Sequence, residues 1–188
     1  SSSSGTTWQR HTYDGSSYGD YYYIPSGIKK VTVTRQRKMP YGAFSGCSRI
    51  EEVKLRDDTE SIGAYAFFGC TSFTSFPLSK ELKSIGDYAF SGDSLVTKAG
   101  SEEEGNLVVP SSCETVGSYA FSGLGLITDV LVPDSVTSIG RGAFKGCSSL
   151  VDITLPFVGK TADATGSEGV FGYIFGYTSS SSSGTTRQ

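Results

Sequence analysis

Apolar and polar positions along this chain follow a template that returns with the dipeptide Ala-Phe. The phenylalanines Phe44, Phe67, Phe90, Phe121 and Phe144 are separated by 23, 23, 31 and 23 residues. Five residues before them stand Met39, Ile62, Ile85, Val116 and Ile139, the last four followed by glycine. Three residues after them come Cys47, Cys70, Asp93, Leu124 and Cys147. Beyond that slot lies an apolar triplet: Ile50, Val53, Leu55; Phe73, Phe76, Leu78; Ile127, Val130, Val132; Leu150, Ile153, Leu155. A spacing of two, as in Ile153-x-Leu155, places both side chains on one face of a strand. Val136 and Ile139 predict a second extended piece ending at Gly140, where glycine lets the chain turn without a Cβ penalty. Gly-Ala-Phe-x-Gly-Cys then predicts a tight helical or 3₁₀ corner with the Phe inside.

A period of this length marks a solenoid, whose units bury apolar faces only against their neighbours. About six apolar side chains per coil, at roughly 1.5–3 kcal/mol each, bury about 10–15 kcal/mol gross. Ordering entropy cancels most of that, so stacking must supply the stability. The step of 31 is the same unit with eight extra residues near Lys98–Gly105, whose composition predicts an exposed loop.

These units resemble the BspA-like leucine-rich repeats, the 23-residue type also described from Treponema surface proteins. That pattern runs as proline, Val-x-x-Ile-Gly, Ala-Phe-x-x-Cys, then Leu-x-x-Ile-x-Leu, and the likeness covers roughly Ile28 to Pro156. Departures are local: Asp93 and Leu124 in the Cys slot, Thr59 and Cys113 in the slot of Val136. The resemblance implies a β-dominated, α/β-type leucine-rich-repeat solenoid. It would be a right-handed curved superhelix with a parallel concave sheet and short helical or 3₁₀ corners. It also implies a secreted or wall-attached surface protein of host-associated bacteria, or of some protist parasites, used in binding. Triplets beginning at Ile28, Ile50, Phe73, Val96, Ile127 and Leu150 predict six rungs, a spine of about 25–30 Å.

A longer repetition frames the shorter one. Ser1–Gln9 recurs as Ser180–Gln188, with eight of nine residues equal at an offset of 179. The expectation is one period of a tandem array, with residues 1–27 and 157–188 as two halves of an inter-module connector around a solenoid at 28–156. Lacking an initiator Met, an apolar signal segment and a membrane span, the sequence fits a piece of something longer. Val170–Phe175 predicts a short amphipathic helix or a strand docked on the solenoid end. Tyr13, Tyr18 and Tyr21–Tyr23 suggest packing in the other half, since solenoids need caps. Neighbouring copies of the module are expected partners, meeting head to tail.

Composition agrees with one soluble, β-rich extracellular domain: 37% hydrophobic and 12% aromatic residues suffice for a core. A net charge of −3 gives no reason to expect nucleic acid. The basic stretch Lys29, Lys30, Arg35, Arg37, Lys38 reads as a solvated coil edge before it reads as an anionic glycan or lipid contact. Cys47 and Cys70, one coil apart, are close enough for a disulfide, but parallel stacked side chains reach its torsion only with strain. Buried free thiols are the favoured state, and without Cys-x-x-Cys or a Cys/His grouping no metal or other cofactor is expected. Glu102–Glu104 lacks the spaced ligands of a calcium loop. The single histidine, His11, has no cysteine or carboxylate pair near it in sequence and reads as a surface residue, so no enzyme is expected.

Two function classes remain. A binding or adhesion module would contact a host protein or glycan through outward positions of the concave sheet. Those are Glu52, Lys54, Ser75, Asp129, Asp152 and Thr154, with Pro77 and Leu131 in equivalent places, and none offers an aromatic platform for sugars. A stalk or filament module would make its contacts through the connectors instead.

Overall fold

The computed structural model describes residues 8–12, 21–76 and 78–176. The Ser-rich end segments, Tyr13, Tyr18 and Pro77 lie outside them. A hairpin, β1 (Trp8–Thr12) with β2 (Tyr21–Pro25), precedes the coils and is antiparallel, with His11 opposite Tyr22. Every later strand is short and parallel, and the strands fall into two rows. The triplets supply β3 (Lys30–Thr32), β5 (Glu52–Lys54), β7 (Ser75–Phe76), β9 (Lys98–Ala99), β10 (Asn106–Val108), β12 (Asp129–Leu131) and β14 (Asp152–Thr154). The other row is β4 (Lys38–Met39), β6 (Ser61–Ile62), β8 (Ser84–Ile85), β11 (Thr115–Val116) and β13 (Ser138–Ile139). It is one continuous sheet in chain order.

Between the rows the Ala-Phe phenylalanines stack nearly face to face along the axis. Centroids are 5.4, 5.3, 5.7 and 5.9 Å apart from Phe44 to Phe144. Phe67, Phe90, Phe121 and Phe144 are buried, and Phe44 at the first end is partly so. The corners around them are hydrogen-bonded turns rather than helix; among the described residues 3₁₀ geometry occurs only at Gly166–Glu168 and Phe171–Phe175. The latter segment docks on the last corner: Phe144 donates its amide to Ile174, as Phe121 does to Ala143, and Ile174 is fully buried.

The structure corrects two expectations. The eight inserted residues are not merely a loop, because β9 and β10 lie side by side, with Leu107 opposite Ala99. The insertion thus adds a strand to the triplet row while the opposite row steps directly from β8 to β11. Its apolar alternation at Leu107 and Val109, both buried, drives this. The glycine after Ile also has a different reason. Gly63, Gly86, Gly117 and Gly140 are not in the left-handed region; a Cβ there would strike the backbone of the preceding coil, at Gly117 only 2.5 Å from the Asp87 nitrogen. Those glycines set the distance between coils.

Candidate functional site

The six outward residues expected to form a site are all exposed on the triplet face. Parallel register aligns them: Lys30 with Glu52, Ser75 with Lys98, Asn106 with Asp129, and Asp129 with Asp152. Thr154 stands beside Leu131, an exposed apolar residue. Glu52 is paired with Lys30 at 2.9 Å, and Asp129 accepts from Thr128 at 2.6 Å.

The face is not a continuous sheet. β3 and β5 form one pair, β7 through β14 another sheet, and no ladder joins β5 to β7. Two sequence features accompany the break. The residue after Phe76 is Pro77, which has no amide hydrogen to give a ladder. The triplet of this coil begins Phe73, Phe76 where its neighbour has Ile50, Val53, and its rings crowd together, Phe76 lying 4.2 Å from Phe90 and 5.2 Å from Phe73.

A cavity of about 310 Å³ opens at the break. Val53, Phe67, Phe73, Phe76 and Phe90 contribute apolar lining, and Glu51, Glu52, Lys54, Ser75, Lys98 and Glu102 contribute polar groups. It brings together Glu52, Lys54 and Ser75 of the predicted set; Asp129, Asp152 and Thr154 lie on later strands outside it. The apolar lining was missed from sequence, although phenylalanine in triplet slots followed by proline was its signal. Lys98 lies within ion-pair reach of Glu102 and Glu104, at 3.9 and 3.6 Å.

A family model described as the BspA type leucine rich repeat region matches residues 17–104 and 37–156, in six copies. The chain belongs to the BspA-type leucine-rich repeat family. Among solved structures, a leucine-rich repeat protein from Bacteroides ovatus ATCC 8483 is similar in fold, with a TM-score of 0.60 and 23% identity. That match covers 79% of this chain and 40% of that one. The leucine-rich repeat protein of T. pallidum has a TM-score of 0.53 and 25% identity, over 69% of this chain and 63% of its own. The chain therefore spans less than two thirds of either protein. No curated protein matches it.

Within the BspA-type repeat, the Cys slot is a hydrogen-bonding position. Cys70 donates its thiol to the Phe44 carbonyl of the preceding coil at 3.2 Å, and Cys147 does the same to Phe121 at 3.4 Å. All four cysteines are free and buried. Burial pushes the thiols of Cys47, Cys113 and Cys147 up to about 11, and raises that of Cys70 well above its ordinary value. A thiolate is the reactive species, so the folded protein should resist a thiol reagent at pH 8. All four groups should titrate once denaturant is added; fast labelling of the native chain would contradict the burial.

In the first BspA-type coil the Cys47 thiol meets His11 instead of a preceding coil's carbonyl. Contrary to its reading as a surface residue, His11 is half buried. Its Nδ1 lies 2.6 Å from the Ser45 carbonyl and 3.6 Å from Cys47 Sγ. A carbonyl only accepts, so Nδ1 carries the hydrogen. A nitrogen that is donating cannot deprotonate the neighbouring thiol, and this Cys–His contact is an anchor for the hairpin rather than a nucleophile and its base. Among the described residues no cluster of His, Cys, Asp and Glu could hold a metal, and no helix is long and apolar enough to cross a membrane.

A tyrosine column runs beside the phenylalanines and was not foreseen. Tyr41, Tyr65, Tyr88 and Tyr119 follow one another at 5.4, 4.9 and 4.8 Å. The last three have φ near +55°, and the same slot holds Gly42 and Gly142 in the outer coils, also at positive φ. A left-handed non-glycine residue costs about 1–2 kcal/mol, which ring stacking of about 0.5–1.5 kcal/mol per pair offsets. Because each inner ring covers its neighbours' faces, the column does not offer them as a platform for sugars. The basic stretch is largely paired: Lys29 with Glu51 at 2.9 Å, Lys30 with Glu52, and Arg37 with Glu60 at 2.8 Å. Such exposed pairs contribute little.

Proposed function

We propose that the chain is a non-catalytic binding module of a surface-exposed, extracellular protein, and that it takes a protein partner on its triplet face. An apolar or aromatic side chain of the partner seats in the cavity between β5 and β7, while Glu52, Lys54 and Ser75 at its mouth orient the surrounding chain. The single observation that carries this reading is that cavity. Its volume of about 310 Å³ falls in the range of side-chain and small-ligand pockets. Apolar lining with a few polar groups at the mouth is the anatomy of an interface anchor point. A protein is favoured over a glycan because the outward row carries no free aromatic face. The extracellular setting rests on membership in the BspA-type family.

Panning a random peptide display library on the whole chain tests the reading. Peptides sharing an aromatic or branched aliphatic anchor should enrich. Ser75→Trp, which fills the mouth from an exposed strand position, should weaken them at least about tenfold with the melting temperature unchanged. Enriched peptides that bind the variant equally well would overturn the cavity as the site. Binding confined to a glycan array would overturn the protein partner. The 179-residue recurrence favours a second reading, a stalk of tandem modules; that reading expects no peptide enrichment at all.

A further inference from the structure

The two ends of the triplet row are complementary to each other. Among the described residues β3 pairs with β5 alone and β14 with β12 alone, so each has one edge without a described partner strand. The interior is also less covered there than in between. Ile28, Val31 and Val33 at one end and Leu150, Ile153 and Leu155 at the other are half buried, whereas Val96, Leu107, Ile127 and Val130 are buried. Val151, beside β14, is 86% exposed. An open parallel edge with apolar side chains beneath it is a template for another strand.

Charge selects which edge meets which. Between residues 28 and 50 the chain carries Lys29, Lys30, Arg35, Arg37, Lys38 and Arg49 and no acidic residue. At the far end Asp129 and Asp152 stand opposite one another in register with like charge, the arrangement that neighbouring strands otherwise avoid. Like edges brought together would crowd Lys29 and Lys30 of two copies, or Asp152 of two copies, along one seam. Unlike edges would oppose Lys30 to Asp152.

We infer that the chain binds a second copy of itself head to tail, β14 of one molecule pairing in parallel with β3 of the next. The register kept by β3–β5 and β12–β14 determines the contacts. Ile153 faces Val31, Thr154 faces Thr32, and Asp152 faces Lys30, which then lies between Asp152 and its own Glu52. The triplet face continues across the junction, and the half-buried triplets at both ends become interior. The described end segments make their contacts elsewhere: His11 reaches the corner at Ser45, Lys160 bonds to Ile139 of the opposite row, and Tyr173 and Ile174 bond to the last corner. A heterologous contact of this kind continues from molecule to molecule, into a filament or a closed ring rather than a two-fold dimer.

The test uses the whole chain and two charge inversions, Asp152→Lys and Lys30→Asp. The weight-average mass from light scattering should rise with protein concentration for the unaltered chain and fall back on addition of salt. Either variant alone should associate at least about tenfold more weakly. Mixing the two restores assembly, because each junction then opposes unlike charges. Circular dichroism of each variant confirms folding, and the mixture separates a lost contact from a lost fold. A chain monomeric at every concentration overturns the inference, as does association that neither inversion weakens or that mixing fails to restore. None of these outcomes depends on the cavity between β5 and β7, which is probed separately through Ser75.

Discussion

Replacing Asp93 with cysteine should stabilise the protein by about 1–3 kcal/mol at neutral pH, the cost of leaving a buried polar group without a partner. Asp93 occupies the Cys slot of the third Ala-Phe corner, is fully buried, and has no hydrogen-bond partner at either carboxylate oxygen. Desolvation pushes its pKa well above the usual carboxylate range. The protonated carboxyl fits the slot better than the ion does: thiols here donate to the preceding coil's Phe carbonyl, and a neutral carboxyl also has a hydrogen to donate.

The sign of the pH dependence follows. In the unfolded chain Asp93 loses its proton near pH 3.9, whereas the folded protein retains it to higher pH. Across that window the native state binds more protons, so stability falls as pH rises from the unfolded pKa through the folded one. Thermal melts of the native chain and of Asp93→Cys between pH 4 and 8 should therefore diverge, the variant melting higher and by the larger margin at the alkaline end. Each kcal/mol corresponds to about 2–4 °C at this chain length. Melting curves that stay parallel across the series would show that folding does not shift the pKa of Asp93.

How far the fold could be read without coordinates depended on whether a residue's environment lay within its own repeat. The core phenylalanines, the triplets and the two strand rows follow from spacing, because each coil places equivalent residues alike. The departures arose where two coils interact. The cavity opens where a coil with Phe73 and Phe76 meets one with Val53, a mismatch visible only once β5 and β7 are neighbours. Gly100 and Gly105, both at positive φ, bend the acidic insertion back so that Leu107 joins the sheet. Its three glutamates had argued only for exposure. His11 meets Ser45 through a hairpin whose return no local period announces. The tyrosine column did leave a trace, since Tyr65, Tyr88 and Tyr119 share the slot of Gly42 and Gly142. Glycine there hinted at a left-handed backbone that bulky residues rarely take, and the stacking that offsets it is again a contact between coils.

The second large effect lies at one of those contacts. Gly117→Ala should destabilise the protein by about 3 kcal/mol, the upper range for forcing an extra methyl into a packed interior. The position is helpful because its backbone conformation suits any residue, so the cost comes from space alone. An added Cβ would lie 2.5 Å from the Asp87 nitrogen and from the Gly86 carbonyl carbon, and 2.7 Å from Asp87 Oδ1. Two of these three atoms are backbone of the preceding coil, and the third already accepts a hydrogen bond from the Ser118 amide at 2.6 Å. Relief requires β8 and β11 to separate, which strains the amide of Gly117 against the Ile85 carbonyl, now at 2.8 Å, and the Phe90–Phe121 stack beneath. Because each coil is stabilised only by its neighbours, a wedge at the middle of the row weakens both halves of the solenoid. Gly69→Ala is the control of opposite kind: nothing lies within 4 Å of its Cβ, but its φ is +67°, so its cost is backbone strain of about 1 kcal/mol and no separation of coils. Denaturant unfolding should rank Gly117→Ala as the more damaging by a clear margin. The reverse order would mean that left-handed corner geometry, not the spacing between coils, limits which residues a BspA-type coil accepts.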